Sequence, residues 1–158
     1  MELRLDTPVG PMMLREREGT IIALEFLRTR SGGKTARTQT RGNSALLREA
    51  ADQLMAYFAG RLREFDLPLG PEGTDFQTRV WRVMRDIPYG KTLSYGEVAK
   101  RLKTGPRAVG GACGQNPLAI FVPCHRVLAA NGALGGYSGM QGLDTKRFLL
   151  RLEGVLPA

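Results

Sequence analysis

The sequence predicts an α+β protein in two parts, an N-terminal α/β domain with a short antiparallel sheet over residues 1–72 and a C-terminal helical domain over residues 73–158. Three observations predict it. Hydrophobicity alternates with period two, broken by turn residues, through the first 28 positions. From Thr74 onward, apolar residues recur at helical spacing behind two capping boxes. Between the halves, Pro68, Gly70, Pro71 and Gly73 mark a boundary near Gly70–Gly73.

Taken in order, MELRLDT, MMLRERE and IIALEFLR read as three short strands of an antiparallel meander, separated by Pro8-Val9-Gly10-Pro11 and Gly19-Thr20. The stretch from Thr29 to Gly42, TRSGGKTARTQTRG, has almost no apolar residue and is expected to be a mobile loop. Asn43 or Ser44 then caps a helix with Leu46, Leu47, Ala50, Leu54, Tyr57 and Phe58 at helical spacing, and Gly60 ends it. Leu62–Leu69 reads as extended linker.

In the second half, Thr74-Asp75-Phe76-Gln77 is a capping box, followed by an apolar face of Phe76, Val80, Val83, Met84 and Ile87. Ile87-Pro88-Tyr89-Gly90 stops that helix. Ser94-Tyr95-Gly96-Glu97 is a second box, opening a short helix over Tyr95–Leu102. Lys103-Thr104-Gly105 makes a turn, and Pro106 starts another helix that runs from Arg107 to about Cys113. Two short helices around such a turn have the outline of a helix-turn-helix, an outline shared with many helical hairpins that bind no DNA. The second helix, RAVGGAC, is built of small residues behind one Arg, and each Gly costs roughly 1 kcal/mol of helix stability relative to Ala. Either the helix presses against another backbone, or it must enter a narrow space such as a minor groove.

The formal charge of +8 is unevenly spread. Residues 1–72 carry 11 Lys and Arg against 10 Asp and Glu, whereas residues 73–158 carry 12 against 5. A basic half beside a neutral half suits a polyanion, most commonly nucleic acid. Hydrophobic residues make up 42% of the 158, enough for a folded core. With two Cys and one His the chain cannot assemble an ordinary four-ligand zinc site, nor a disulfide scaffold. The start has no apolar signal region, and no run of about 18 apolar residues occurs. The expectation is a soluble, cytoplasmic protein with both thiols free.

Candidate chemistry gathers in the segment Ile120–Leu128, an apolar, strand-like stretch interrupted by Pro123-Cys124-His125-Arg126. A buried Cys is usually a small hydrophobe. Here the only His of the chain is adjacent and Asn116 lies just upstream. A tyrosine-phosphatase loop needs Arg six residues after the Cys, where this chain has Ala130. A thioredoxin-like pair needs a second Cys three residues on, where Val127 stands. A papain-like pair uses a distant His, and a His next in sequence tends to face the other way on a strand. A bridging water or a turned backbone would still connect the two.

Pro123-Cys124-His125-Arg126-Val127 resembles the active-site motif of the O6-alkylguanine-DNA alkyltransferases. Pro106-Arg107-Ala108-Val109-Gly110, Asn116-Pro117, Gly136-Tyr137-Ser138-Gly139 and Leu149-Leu150 through Glu153-Gly154 follow in the family's order and nearly its spacing, so the resemblance covers residues 74–154. It implies a C-terminal helical (winged) helix-turn-helix domain carrying the active site. It also implies irreversible, single-turnover transfer of an alkyl group from O6-alkylguanine, or O4-alkylthymine, in double-stranded DNA to Cys124. The family takes no cofactor, binds the minor groove with little regard to sequence, flips the base and acts as a monomer. By the same resemblance His125 is the base, acting through a water, Glu153 orients it, Asn116 stabilises the turn, and Tyr95 crowds the phosphate and protonates the guanine. Arg107 resembles the finger that fills the emptied stack, and Ala108, Gly110, Gly111 and Arg126 fall on the DNA-binding surface. The resemblance also implies that Tyr137, Ser138, Gly139, Val127 and Lys146 line the base pocket. The extra residues Met140–Thr145 depart from the pattern, so tolerance for large alkyl groups does not carry over. Zinc-bearing relatives use Cys and His that the N-terminal half here lacks. The other reading, a lesion binder without chemistry, belongs to relatives that have lost the thiol.

Overall fold

Two-residue turns fold the start of the chain into three antiparallel strands, β1 (Glu2–Thr7), β2 (Gly10–Arg17) and β3 (Thr20–Phe26). The computed structural model describes residues 1–27, 39–41, 44–134 and 142–157, which fall into two units, Met1–Pro71 and Glu72–Ala158. The β2–β3 turn places both Glu18 (φ 51°) and Gly19 (φ 76°) in the left-handed region, as a tight hairpin of right-twisted strands requires. A fourth strand, β4 (Gln39–Arg41), pairs antiparallel with β1, giving the order β3-β2-β1-β4. These three residues were expected inside a mobile loop. Their pairing runs through the backbone, which no apolar pattern announces. The rest of that loop, and Asn43, lie outside the described residues.

Helix α1 (Ala45–Phe58) is capped by Ser44, whose Oγ accepts from Leu47 N at 3.1 Å. Its buried side chains Leu47, Ala50, Leu54 and Tyr57 pack with Leu3, Leu5, Met12, Leu14 and Ile21 of the sheet to form the core of the first unit. The segment expected to be extended linker is tied down: Leu69 bridges Ile21, and Gly70 N donates to Ile21 O at 2.9 Å.

The second unit opens with α2 (Asp75–Arg85), α3 (Tyr95–Leu102) and α4 (Pro106–Gly114). Both capping boxes form, with Thr74 and Gln77 exchanging side-chain and backbone bonds, and Ser94 and Glu97 doing the same. Lys103 turns the chain at φ 55°, and Pro106 begins α4 with no donor to waste. Trp81 fixes α4 against α2, its buried indole donating to Ala112 O at 2.9 Å. Two short strands, β5 (Leu93–Ser94) and β6 (Val127–Leu128), pair in parallel, and α5 (Leu143–Leu152) closes the unit over Leu149 and Leu150. No helix among the described residues is long and apolar enough to cross a membrane.

Candidate active site

Between α4 and β6 the chain makes successive tight turns rather than the strand that its apolar residues suggest. Val122 N donates to Leu118 O and Cys124 N to Val122 O, both at 2.8 Å, and Ile120 sits at φ 72°. For a β-branched residue that conformation is strained. Pro123 leads into a single 3-10 turn, Cys124–Arg126, and only Val127–Leu128 pair as strand. In such a turn neighbouring side chains no longer alternate between opposite faces, so the objection that His125 must face away from Cys124 disappears.

Asn116 ties this loop together. Its Nδ2 donates to Val122 O at 2.8 Å and lies 3.4 Å from Cys124 Sγ, while its Oδ1 accepts from Leu118 N at 2.9 Å. The helix cap is Gln115, which leaves the Asn116 side chain to the thiol loop. Cys124 itself is buried, 6% exposed.

His125 Nε2 lies 2.7 Å from Glu153 Oε2, with both side chains fully buried. An ionised Glu153 can only accept, so Nε2 carries the hydrogen and Nδ1 is left as a bare lone pair. Nδ1 is buried and has no hydrogen-bond partner among the described residues. Burial lowers the His125 pKa below the ordinary 6.5, outweighing the lift from the Glu153 hydrogen bond and charge, and the charges of Arg126 and Lys146 lower it further. Burial works to raise Glu153, yet the hydrogen bonds and charges of His125 and Arg126 prevail and hold its carboxyl at about 2. The site therefore pairs a fixed carboxylate with a neutral imidazole.

Arg126 was expected on the DNA-binding surface, and the structure places it elsewhere. It is 7% exposed, with Nε on Glu153 Oε1 at 2.7 Å, Nη2 on Glu153 Oε2 at 3.0 Å and Nη1 on Ile87 O at 2.7 Å. A buried guanidinium needs partners for its charge and its donors, and Glu153 with the end of α2 supplies them.

Lys146, on α5, is also buried. Its Nζ donates to Val127 O at 2.7 Å and lies 5.7 Å from the centre of the Tyr95 ring. Burial, then the charges of Cys113 and Cys124, push the Tyr95 hydroxyl up to about 12, so it keeps its proton at neutral pH. Cys113 is buried with Sγ 3.9 Å from Met84 Sδ, and burial followed by the Cys124 charge pushes it up to about 12. Arg107 and Ala108 are exposed at the start of α4. A Cβ added at Gly110 or Gly111 would meet nothing within 4 Å, so the small residues there are not required by packing within this chain. Tyr137, Ser138 and Gly139 lie outside the described residues.

Residues 75–155 match the family model described as the 6-O-methylguanine DNA methyltransferase DNA binding domain, and residues 4–71 match its ribonuclease-like domain. The chain belongs to the methylated-DNA–protein-cysteine methyltransferase family. A family member from Methanosarcina acetivorans is 46% identical over 151 residues, 94% of this chain and 95% of that protein. Another, from Mycobacterium bovis, is 46% identical over 94% of this chain and 89% of its own length. Among solved structures, Mycobacterium tuberculosis OGT in complex with DNA superposes with a TM-score of 0.82 at 47% identity, covering 98% of this chain and 94% of that one. Every residue of the Cys124 site lies inside the stretch that matches the family's DNA binding domain.

Sequence reasoning missed Arg126 as part of the buried cluster, together with Ile87 O and Tyr89, whose hydroxyl donates to Leu152 O at 3.0 Å. The signal was present. An Arg inside the apolar run IFVPCHRVL has to be paired if it is buried, and Glu153 was already assigned to the neighbouring His125.

Proposed function

We propose that this chain repairs DNA by taking the alkyl group of an O6-alkylguanine onto Cys124, once per protein molecule. The observation that carries this reading is the bare, buried Nδ1 of His125, one residue from a buried thiol and backed by Glu153. His125 Nδ1 takes the thiol proton through a bridging water, and Glu153 stabilises the imidazolium. The Cys124 sulfur attacks the alkyl carbon, the carbon–O6 bond breaks, and its electron pair stays with guanine. The leaving base takes a proton from Tyr95, whose hydroxyl stays protonated at neutral pH. The product is a thioether. A thioether is not displaced by water or thiols under ordinary conditions, so the reaction stops at one turnover.

Cys124 is too deeply buried to reach a base inside the stack, so the lesion must be extruded. The open, small-residue face of α4 enters the minor groove, and Arg107 at its leading end fills the gap left by the base. O4-alkylthymine, which presents an alkylated oxygen on a similar base edge, is a second substrate. The chain acts as a monomer, in the cytoplasm where chromosomal DNA is accessible. Intact-protein mass measured after mixing with excess O6-methylguanine duplex tests the reading. One methyl and no more is expected, and an unchanged mass would defeat it.

A further inference from the structure

Glu153 is gripped from two sides. His125 Nε2 and Arg126 Nη2 share Oε2, at 2.7 and 3.0 Å, and Arg126 Nε takes Oε1 at 2.7 Å. The third corner of the guanidinium is fixed to Ile87 O at 2.7 Å, and its carbon lies 5.8 Å from the centre of the Tyr89 ring. Tyr89 in turn bonds Leu152 O, the residue before Glu153. The turn after α2 and the end of α5 are thus bolted together through Arg126, with Glu153 in the middle. This geometry exceeds what a charge partner requires. A planar fork on both carboxylate oxygens fixes the carboxylate's position and its rotation, and hence the direction from which His125 is held.

The electrostatics follow from the same contacts. A buried carboxylate facing a histidine alone would favour the imidazolium and leave the base occupied before any thiol gave up its proton. Arg126 opposes that charge at contact distance. The charged groups acting on His125 are Glu153 at the end of α5, Lys146 within α5, and Arg126 in its own turn, where Cys124 is its titratable neighbour in sequence. Helix α2, which also packs against that turn, buries Val80, Trp81 and Met84, none of which titrates. Burial does most to keep the ring neutral, Glu153 pulls the other way, and Arg126 and Lys146 oppose Glu153, with Arg126 the one in direct contact with it.

We propose that Arg126 is a positioning residue for alkyl transfer, clamping Glu153 and offsetting its charge so that His125 stays neutral and ready to accept the thiol proton. The proposal rests on the reading of Cys124 and His125 given above. It makes Arg126 act through Glu153, without contact with DNA or the lesion.

The chain has a single His, so the imidazole nitrogen signals of 15N-histidine-labelled full-length protein report on His125 alone. In the wild type they should show the Nε2–H neutral form at pH 6.5. In Arg126→Met the imidazole should titrate at least one pH unit higher than in the wild type. The acid limb of the single-turnover methyl-transfer rate should move up with it, a tenfold loss at a pH on that limb. Arg126→Lys keeps the charge and loses the fork. Its limb should stay where the wild type's lies, while its plateau rate falls severalfold and its affinity for methylated duplex is unchanged. A folded Met variant whose imidazole titrates as the wild type does would overturn the charge argument. If the Met variant fails to fold, the Lys variant decides: a wild-type plateau rate would overturn the clamp. A wild-type protein that takes no methyl would instead defeat the assigned reaction, and the imidazole titration, which needs no substrate, would still decide on Arg126.

Discussion

Cys124, His125 and Glu153 are three residues spread over 30 positions of sequence that the fold brings into one buried cluster, and their chemistry depends on acting together. Replacing Glu153 by Gln keeps a hydrogen bond to Nε2 and removes the charge that stabilises the imidazolium. The transfer rate should fall about 100-fold or more, the range of a lost acid–base contribution, with little change in DNA affinity. Combining it with His125→Ala should cost scarcely more than the worse single change, because groups working as a unit are non-additive. Single-turnover rates of the three variants check this, and independent, additive losses would separate the two residues. The same cluster sets a pH dependence of stability. Both His125 and Glu153 have folded-state pKa values below their unfolded ones. The unfolded chain therefore takes up protons first, and stability should fall as pH drops below 6.5 and again as it drops from 4.5 towards 2. Denaturant midpoints between pH 7 and pH 2 measure both, and a profile flat from pH 7 to pH 5 would contradict the buried neutral imidazole. At this scale the sequence was readable where a residue type has few innocent explanations, as with a sole His beside a Cys. It misled at Arg126, because a basic residue in a basic half reads as a DNA contact until its burial is known.

Helix boundaries were legible because capping is local chemistry. Thr74, Ser94 and Pro106 declare their helices within four residues, and α3 begins and ends where Tyr95–Leu102 predicts. Elements that depend on distant partners were not. Strand β4 is three residues paired through its backbone, β5 and β6 are two residues each, and the 3-10 turn at Cys124 is hidden inside an apolar run that alternation reads as a strand. Helix α4 offers a test at this scale. An added Cβ at Gly111 finds open space, so Gly111→Ala should stabilise the folded protein by roughly 0.5–1 kcal/mol. Gly111→Leu should also fold, since Leu is nearly as good a helix former, yet bind duplex DNA more weakly because the side chain obstructs the groove. Thermal unfolding beside duplex affinity checks both. A Leu variant that binds as the wild type does would remove this face from the interface.

The whole molecule carries +8, and the half that holds the site carries most of it. Binding to duplex DNA should therefore weaken steeply with salt and vary little with sequence. Against that background Arg107→Ala should slow repair of a methylated duplex far more than reaction with free O6-benzylguanine, which needs no flipping. Equal losses would mean that Arg107 holds the pocket instead. The decisive measurement concerns where the alkyl group ends. The chain offers two buried thiols, Cys113 and Cys124, and only Cys124 has His125 beside it and Asn116 against its sulfur. Cys113, pushed up to about 12 and packed on Met84, should remain a thiol throughout. Peptide mapping by mass spectrometry after reaction with one equivalent of O6-methylguanine duplex should find the methyl on Cys124 alone, stoichiometric with guanine restored in the DNA. A methyl on Cys113, or guanine restored in excess of protein, would overturn the site and the single-turnover chemistry assigned to it.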